Sequence, residues 1–354
     1  MTGLRYGLLG AGMMGQEHIR NVALLEGAAV TAICDPDDAM AARALAQAPG
    51  ARRVADLGAL LGAGIDAVIV ASPNDLHARQ LRAILAHGRL PVMMEKPLYT
   101  DPAEAGEMAA LAPDLPVWVG MEYRYMPPVA RFLERVEPAT GGVRMLTIRE
   151  HRFPFLEKVG GWNRHAARTG GTMVEKCCHF FDLMRLILRA DPVRVMASMG
   201  QDVNRLGEAD MADNGYVLVD FAGGARAMLE LCMFAEGSEY QEELSAIGPR
   251  GKIEAKVIGP GRFWPARLGP PPVPIVVESP REPRGPMTRA VPVPPALLAA
   301  GDHNGATYYE HERFARTVRG EAPPEVTLAD GAWAVRMGHA AQESAATGRA
   351  VALR

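Results

Sequence analysis

Through residues 1–121, short apolar runs alternate with stretches whose apolar positions recur every three or four residues. Residues 4–9 and 29–34 suit strands, and the stretch between them suits a helix over 14–25. A third strand at 66–71 closes on Ser72-Pro73-Asn74. The helix after it carries Asp75 in its first turn and meets Gly88 past its end. A strand at 91–94 leads into Glu95-Lys96-Pro97. Asp101 then caps a helix with Pro102 at its first position, and a strand at 117–120 follows. This alternation predicts a doubly wound parallel sheet, with its ligand beyond the carboxyl ends of the strands.

From residue 122 the pattern changes. Strand-like segments fall at 143–151, 193–199, 216–221, 225–233, 239–247 and 252–257, and one long helix, about 172–188, interrupts them. Ala222-Gly223-Gly224 suits a hairpin. The fold class read from this is α/β plus α+β: a parallel-sheet domain over 1–121 and an open, mostly antiparallel sheet domain over 122–354. Residues 260–295 hold 12 of the 28 prolines and are expected to be extended or looped rather than regular. Helices at 307–319 and 328–346 close the chain and are expected to pack back on the first domain.

The strand at 4–9 runs into Gly10-Ala11-Gly12-Met13-Met14-Gly15, and Asp35 follows twenty positions after the last glycine. Gly10 permits the tight turn, Gly12 lets backbone approach a pyrophosphate, and Gly15 lets the helix pack on the sheet. The helix N-terminus favours phosphate charge. Asp35 can accept both hydroxyls of an adenosine ribose and repels a 2′-phosphate, so NAD is favoured over NADP. The alternative is a ligand-free turn in which Asp35 merely precedes Pro36. Strand, helix and acid together favour the dinucleotide.

Composition narrows the class without changing it. A length of 354 residues suits about two domains, and 48% hydrophobic with 22% charged residues describes an ordinary globule. A net charge of −3 gives no electrostatic case for nucleic acid or an acidic membrane. No secretory leader or membrane-length apolar run is visible, and four cysteines form no disulfide framework, so a cytoplasmic location is expected.

Lys96 follows the fourth main strand, where a doubly wound fold places functional groups. It could hydrogen-bond a substrate hydroxyl, or be a surface lysine paired with Glu95; Pro97 permits a cis peptide before it. In an unbroken helix over 172–188, Glu175, His179 and Asp182 fall within an arc of roughly 60°, beside an apolar face of Val174, Cys178, Phe181 and Leu188. A histidine there can take a proton from an alcohol near neutral pH, or simply be a buried, hydrogen-bonded residue. Consecutive Cys177-Cys178-His179 point in different directions, so no metal is expected. The 19 methionines read as core filler. Arg149, Arg152, Lys158, Arg164, Arg168 and Lys176, against three acids, could recognise a sugar acid or phosphate, or form a solvated basic face. The polar, aromatic stretch 302–311 suits either sugar recognition or a helix start.

With these motifs in order and at family spacing over nearly its whole length, the chain resembles the family of glucose–fructose oxidoreductase, inositol dehydrogenase and related NAD(P)-dependent sugar dehydrogenases. The motifs are the glycine fingerprint, Ala71-Ser72-Pro73-Asn74-Asp75-Leu76-His77, Glu95-Lys96-Pro97 and the Gly170-Gly171…His179-Phe180-Phe181-Asp182 helix. The resemblance implies an N-terminal Rossmann domain and a C-terminal open sheet that packs against a second subunit, in a homodimer or homotetramer. It implies cofactor contacts from Gly10, Gly12, Met13, Met14, Gly15, Asp35, Ser72, Pro73, Asn74, His77, Glu95 and Lys96. It further implies that Lys96 contacts the reacting hydroxyl, that His179 serves as acid/base, and that Tyr123, Arg124, Trp162 and Arg164 line the substrate cleft with Glu175. The family usually has aspartate where this chain has Glu175, which is expected to orient His179 with a longer reach. The implied activity is hydride transfer between NAD and a secondary alcohol of a sugar, cyclitol, sugar acid or glycoside. An NAD-retaining, redox-neutral glycosidase and a non-catalytic sensor are the other readings; the pairing of Lys96 with His179 argues against the sensor.

Overall fold

Apolar strands buried on both faces build the first sheet. The computed structural model describes residues 3–111 and 114–353; the chain ends of the two expected domains, Met1, Thr2 and Arg354, lie outside the described residues. Strands β1 Leu4–Leu9, β2 Ala28–Cys34, β3 Arg52–Arg53, β4 Ala67–Val70, β5 Val92–Glu95 and β6 Val117–Gly120 pair in parallel in the order β3-β2-β1-β4-β5-β6. Every residue of β4, β5 and β6 is buried, as helices on both faces require. The order reverses between β1 and β4, the crevice where a doubly wound sheet takes its ligand.

The second sheet has nine strands: β7 Met145–His151, β8 Pro192–Gly200, β9 Asn214–Phe221, β10 Arg226–Cys232, β11 Glu242–Gly248, β12 Gly251–Val257, β13 Ile275–Pro280, β14 Met287–Ala290 and β15 Val351–Ala352. Their order is β14-β13-β12-β11-β7-β10-β9-β8-β15, antiparallel except for the β7–β10 pair. Burial alternates along the central strands. The inner face, with Ile148, Val217, Leu229, Leu244 and Ile253 buried, is covered by the helices Pro127–Thr140 and Leu328–Thr347. The helix Ala306–Val318 returns to the first sheet, where the Trp118 indole donates to Glu310 (2.9 Å) and His18 meets His311 (2.8 Å). Among the described residues no helix is long and apolar enough to cross a membrane.

Three elements differ from expectation. The helix Pro127–Thr140 was not anticipated, although Val129, Phe132 and Val136 form its buried stripe. Its leading prolines occupy the first turn, where no N–H is needed. Within the proline-rich stretch, β13 and β14 extend the sheet; the one proline in either, Pro280, is the last residue of β13 and lies beyond its pairing with β14. The helix expected over 172–188 is broken: Thr172–Glu175 is a separate turn before Cys178–Leu188. The Cys177 N–H reaches back five residues to the Thr172 carbonyl (3.3 Å). This π-type step inserts one residue, rotating Glu175 about 100° away from the face that carries His179.

Candidate active site

The glycine turn is shaped as a dinucleotide cradle. Gly10 has φ +94°, and a Cβ there would sit 2.6 Å from the Ser72 nitrogen; only glycine lets β1 and the strand-end turn after β4 approach so closely. A Cβ on Gly12 would meet nothing within 4 Å, so its backbone faces open space. Gly15 does not line the cleft; it lets the helix Met13–Val22 pack against the Gly10 carbonyl, which a Cβ would approach to 2.1 Å. The Asp35 carboxylate is fixed at the end of β2 by the Ala11 N–H (2.6 Å) and the Asp37 N–H (2.7 Å). These groups open on a cleft of about 950 Å³ that also takes in Met13, Met14, Ser72, Pro73, Asn74, Glu95, Lys96, Lys158 and Trp162. Turn, acid and cleft fit NAD. His77, expected at the cofactor, is instead buried between the carbonyls of Pro97 (2.7 Å) and Ser72 (3.1 Å), bracing the two turns. The Lys96–Pro97 peptide is cis.

Lys96 stands where this cleft meets a second, polar cavity. Its Nζ donates to the Glu175 carbonyl (2.9 Å) and lies 3.8 Å from Glu175 Oε1. Lys158 Nζ approaches the same oxygen to 3.4 Å, seated 4.5 Å above the Trp162 ring. The Asn74 amide donates to Oε2. One buried carboxylate thus serves two ammonium groups and an amide. It makes no bond to His179, so the expected role of Glu175 as the orienter of the imidazole does not hold; the inserted residue has turned it toward Lys96. Tyr123 performs the orienting instead, its ring stacked on His179 at 4.1 Å and 8°, with its hydroxyl held by Lys176. Nδ1 of His179 is buried without a hydrogen-bond partner.

Two expected substrate contacts lie elsewhere. Arg124 is buried in a fork with Asp182 (Nε–Oδ2 2.6 Å) and donates to the Glu325 carbonyl (3.0 Å). It ties the start of the second domain to the helix Cys178–Leu188, and it takes Asp182 off the catalytic face. Arg164 pairs with Glu157 (2.8 Å) outside the polar cavity. The other basic residues of 149–176 are also spoken for. Arg149 bonds Glu230 and Glu243, Arg152 and Lys176 face Glu150, and Arg168 bonds Asp75. Each of these cations thus already faces a carboxylate, Arg152 and Lys176 sharing Glu150.

Electrostatics separates the two central groups. Burial alone would lower Lys96, but the Glu175 charge, ahead of Cys178, Glu95 and Glu122, holds it above the ordinary lysine value. Burial, then the positive charges of Lys96, Lys176, His303 and Arg152, pushes His179 well below the usual histidine value. At neutral pH the junction therefore offers a charged donor, Lys96, beside a neutral acceptor, His179. Burial and the neighbouring Lys96 charge also lower Lys158, despite Glu175.

The polar cavity adds residues that sequence reasoning missed. Glu242 is buried, and burial with nearby Glu150 pushes its carboxyl up to about 7. Glu17, Glu122 and His303 bring one ligand atom each within 4.8 Å of one another. Despite its burial, His303 is raised to about 10 by Glu122 and Glu17, which favours the charged imidazole at neutral pH. The stretch 302–311 was flagged for polarity, but nothing along the chain links His303 to Glu17, 286 positions away.

Residues 4–123 match the model of the oxidoreductase family, NAD-binding Rossmann fold, and residues 139–353 match that family's C-terminal alpha/beta domain. The inositol 2-dehydrogenase of Rhizobium meliloti (strain 1021) is 28% identical over 258 residues, covering 72% of this chain and 76% of that protein. A myo-inositol dehydrogenase from Corynebacterium glutamicum superposes with TM-score 0.77 at 23% identity, covering 99% of both chains. An oxidoreductase from Agrobacterium radiobacter in complex with NAD+, L-tartaric acid and magnesium superposes with TM-score 0.80 at 22% identity, over 99% of this chain and 98% of that one.

Proposed function

The chain belongs to the oxidoreductase family that joins an NAD-binding Rossmann fold to a C-terminal α/β domain, and from this premise we propose that it oxidises a secondary alcohol of a neutral polyol, a cyclitol or sugar. That it is an NAD-dependent dehydrogenase of carbohydrate-like CH–OH groups follows from the family and its inositol 2-dehydrogenase relatives. The observation that carries the finer reading is the junction itself, a cationic Lys96 and a neutral His179 between a dinucleotide cleft and a cavity of paired acids and bases. Such a wall offers both donors and acceptors, as hydroxyls need, and its cations are already engaged by the buried carboxylates Glu175 and Glu150.

NAD, when bound, supplies the hydride acceptor. Gly10, Gly12, Asp35 and the turn at Ser72–Asn74 would hold it, with Asp35 favouring NAD over NADP. Lys96 donates to the carbinol oxygen and stabilises negative charge as its proton leaves. His179, neutral and stacked on Tyr123, takes that proton. Glu175 keeps Lys96 charged, and Lys158 shares the same carboxylate. The test is absorbance of reduced nicotinamide with purified protein, NAD, and a panel of cyclitols, sugars, sugar acids and glycosides. A rise with neutral polyols supports the reading. A rise confined to acids, or sugar release from glycosides without reduced cofactor, overturns it.

The open face of the second sheet carries Met196, Leu218 and Met228 as cross-strand neighbours, with Tyr216 and Met145 also exposed. A second copy covering this row would form the homo-oligomer. Light scattering is expected to give a dimer or tetramer, and Leu218→Glu to shift it to a smaller species. A monomer in both would remove the oligomer from this reading.

A further inference from the structure

His303 and its two carboxylates occupy the polar cavity, and the proton chemistry assigned to Lys96 and His179 leaves them without a role. Glu17 comes from the helix after the glycine turn, Glu122 from just beyond β6, and His303 from the approach to the helix Ala306–Val318. Both carboxylates are only 3% exposed, and buried carboxylates are costly unless a cation answers them. His303 Nδ1 lies 2.8 Å from Glu17 Oε1 and 3.3 Å from Glu122 Oε1. The Thr307 hydroxyl donates to Glu122 (2.5 Å), and the Asp302 N–H to Glu17 (3.2 Å). Gly301 completes the fit, since a Cβ there would lie 2.0 Å from Glu17 Oε1. The ring is therefore fixed in orientation by three segments far apart in the chain.

With Nδ1 committed to the carboxylates, Nε2 is the nitrogen left for a ligand, and it has no partner among the described residues. His303 shares the cavity wall with Lys96, His179 and Tyr123. Tyr123 stacks on His179 and its centroid is 6.2 Å from that of His303. Tyr123 is thus a common neighbour of His303 and the base, and all three face the one cavity in which a cyclic polyol would sit. An imidazolium donates and cannot accept, so it welcomes an oxygen and rejects an ammonium.

Resting on the polyol reading above, we propose that His303, clamped between Glu17 and Glu122, donates its Nε2–H to a substrate hydroxyl adjacent to the one oxidised and selects polyols that carry oxygen there. The experiment takes the polyol with the highest rate in the panel, together with its monodeoxy and aminodeoxy analogues at the adjacent positions, and compares kcat and KM for the wild type, His303→Gln and His303→Ala. In the wild type, one adjacent position is expected to cost about 10- to 100-fold in kcat/KM when its oxygen is removed. His303→Ala should lose a similar factor on the parent and erase that penalty, while His303→Gln, which keeps an N–H donor, retains part of it. Circular dichroism and melting temperature close to wild type would show the variants folded; nicotinamide affinity is measured beside them, because Glu17 sits on the helix that follows the glycine turn. A parent and analogues that fall together in His303→Ala would overturn the proposal. So would a wild type indifferent to every adjacent oxygen, a result that needs no variant to fold. An inactive wild type across all polyols would overturn the polyol reading itself, and this inference with it; an active wild type with unaltered selectivity in the variants would overturn only the role of His303.

Discussion

Lys96→Met is expected to lower kcat about 10³-fold while NAD affinity stays within a few-fold of wild type. The rate effect reflects one lost group with two tasks, donating to the carbinol oxygen and stabilising the developing alkoxide; such a loss costs about two to three orders of magnitude in other enzymes, and the two tasks do not add. Affinity should survive because the glycine turn and Asp35 are held by their own bonds, among them the Ala11 and Asp37 N–H groups. The fold should survive as well. Methionine fills the space, and Glu175 keeps both Lys158 at 3.4 Å and the Asn74 amide. Removing Lys96 also removes the charge that helps hold Lys158 down, so Lys158 should become more fully protonated and supply some residual turnover. Lys158→Met added to Lys96→Met should then remove the remainder. Single-turnover absorbance gives the rate and quenching of protein fluorescence gives the affinity. Full activity in Lys96→Met would end its catalytic role.

Parts of the molecule were legible because their signals are local. The glycine turn, the acid after β2, and the alternation of apolar runs with amphipathic helices each occupy a few consecutive residues. β1 was placed to the residue at Leu4–Leu9 for that reason. The helix Pro127–Thr140 had its stripe in view, at Val129, Phe132 and Val136, behind prolines that mark its start, and was not assigned. β13 and β14 were hidden by prolines that lie around them rather than in them, Pro280 at the last position of β13 being the one exception. The active-site helix failed differently. Its arc was computed at a constant 100° per residue, and no glycine or proline warns of the inserted residue at Cys177. That single step decided which side chain Glu175 serves. Arg124 and Asp182 are 58 positions apart, and the Glu17–Glu122–His303 cluster spans most of the chain. Such partners are set by tertiary packing, and no spacing rule reaches them.

His179→Asn is expected to reduce the oxidation rate by about 10²- to 10⁴-fold, and its pH dependence separates a base from a packing residue. The working form in oxidation is the neutral imidazole. Burial, followed by Lys96, Lys176, His303 and Arg152, holds its pKa well below 6.5, so kcat in the wild type should stay level as pH falls from 8 through 6.5 and decline only well below that. The residual rate of His179→Asn should lack this acid limb. The same depression is a stability term with a definite sign. Above the unfolded value near 6.5 the neutral ring costs nothing, and as pH falls below it the unfolded chain takes a proton that the folded one resists, so stability is lost on the acid side. His77 and His311, both lowered chiefly by burial, add to that loss in either protein. His179→Asn should therefore show a shallower fall in melting temperature between pH 6.5 and 5 than the wild type, yet still fall. His303 works in the opposite direction. Its pKa of about 10 gives stability that is complete below 6.5 and is lost as pH rises through 10, so replacing His179 should leave the alkaline side of the profile unchanged. An acid limb that persists in His179→Asn would transfer the base to another group at the junction, and Lys158 is the amine placed to be tested next.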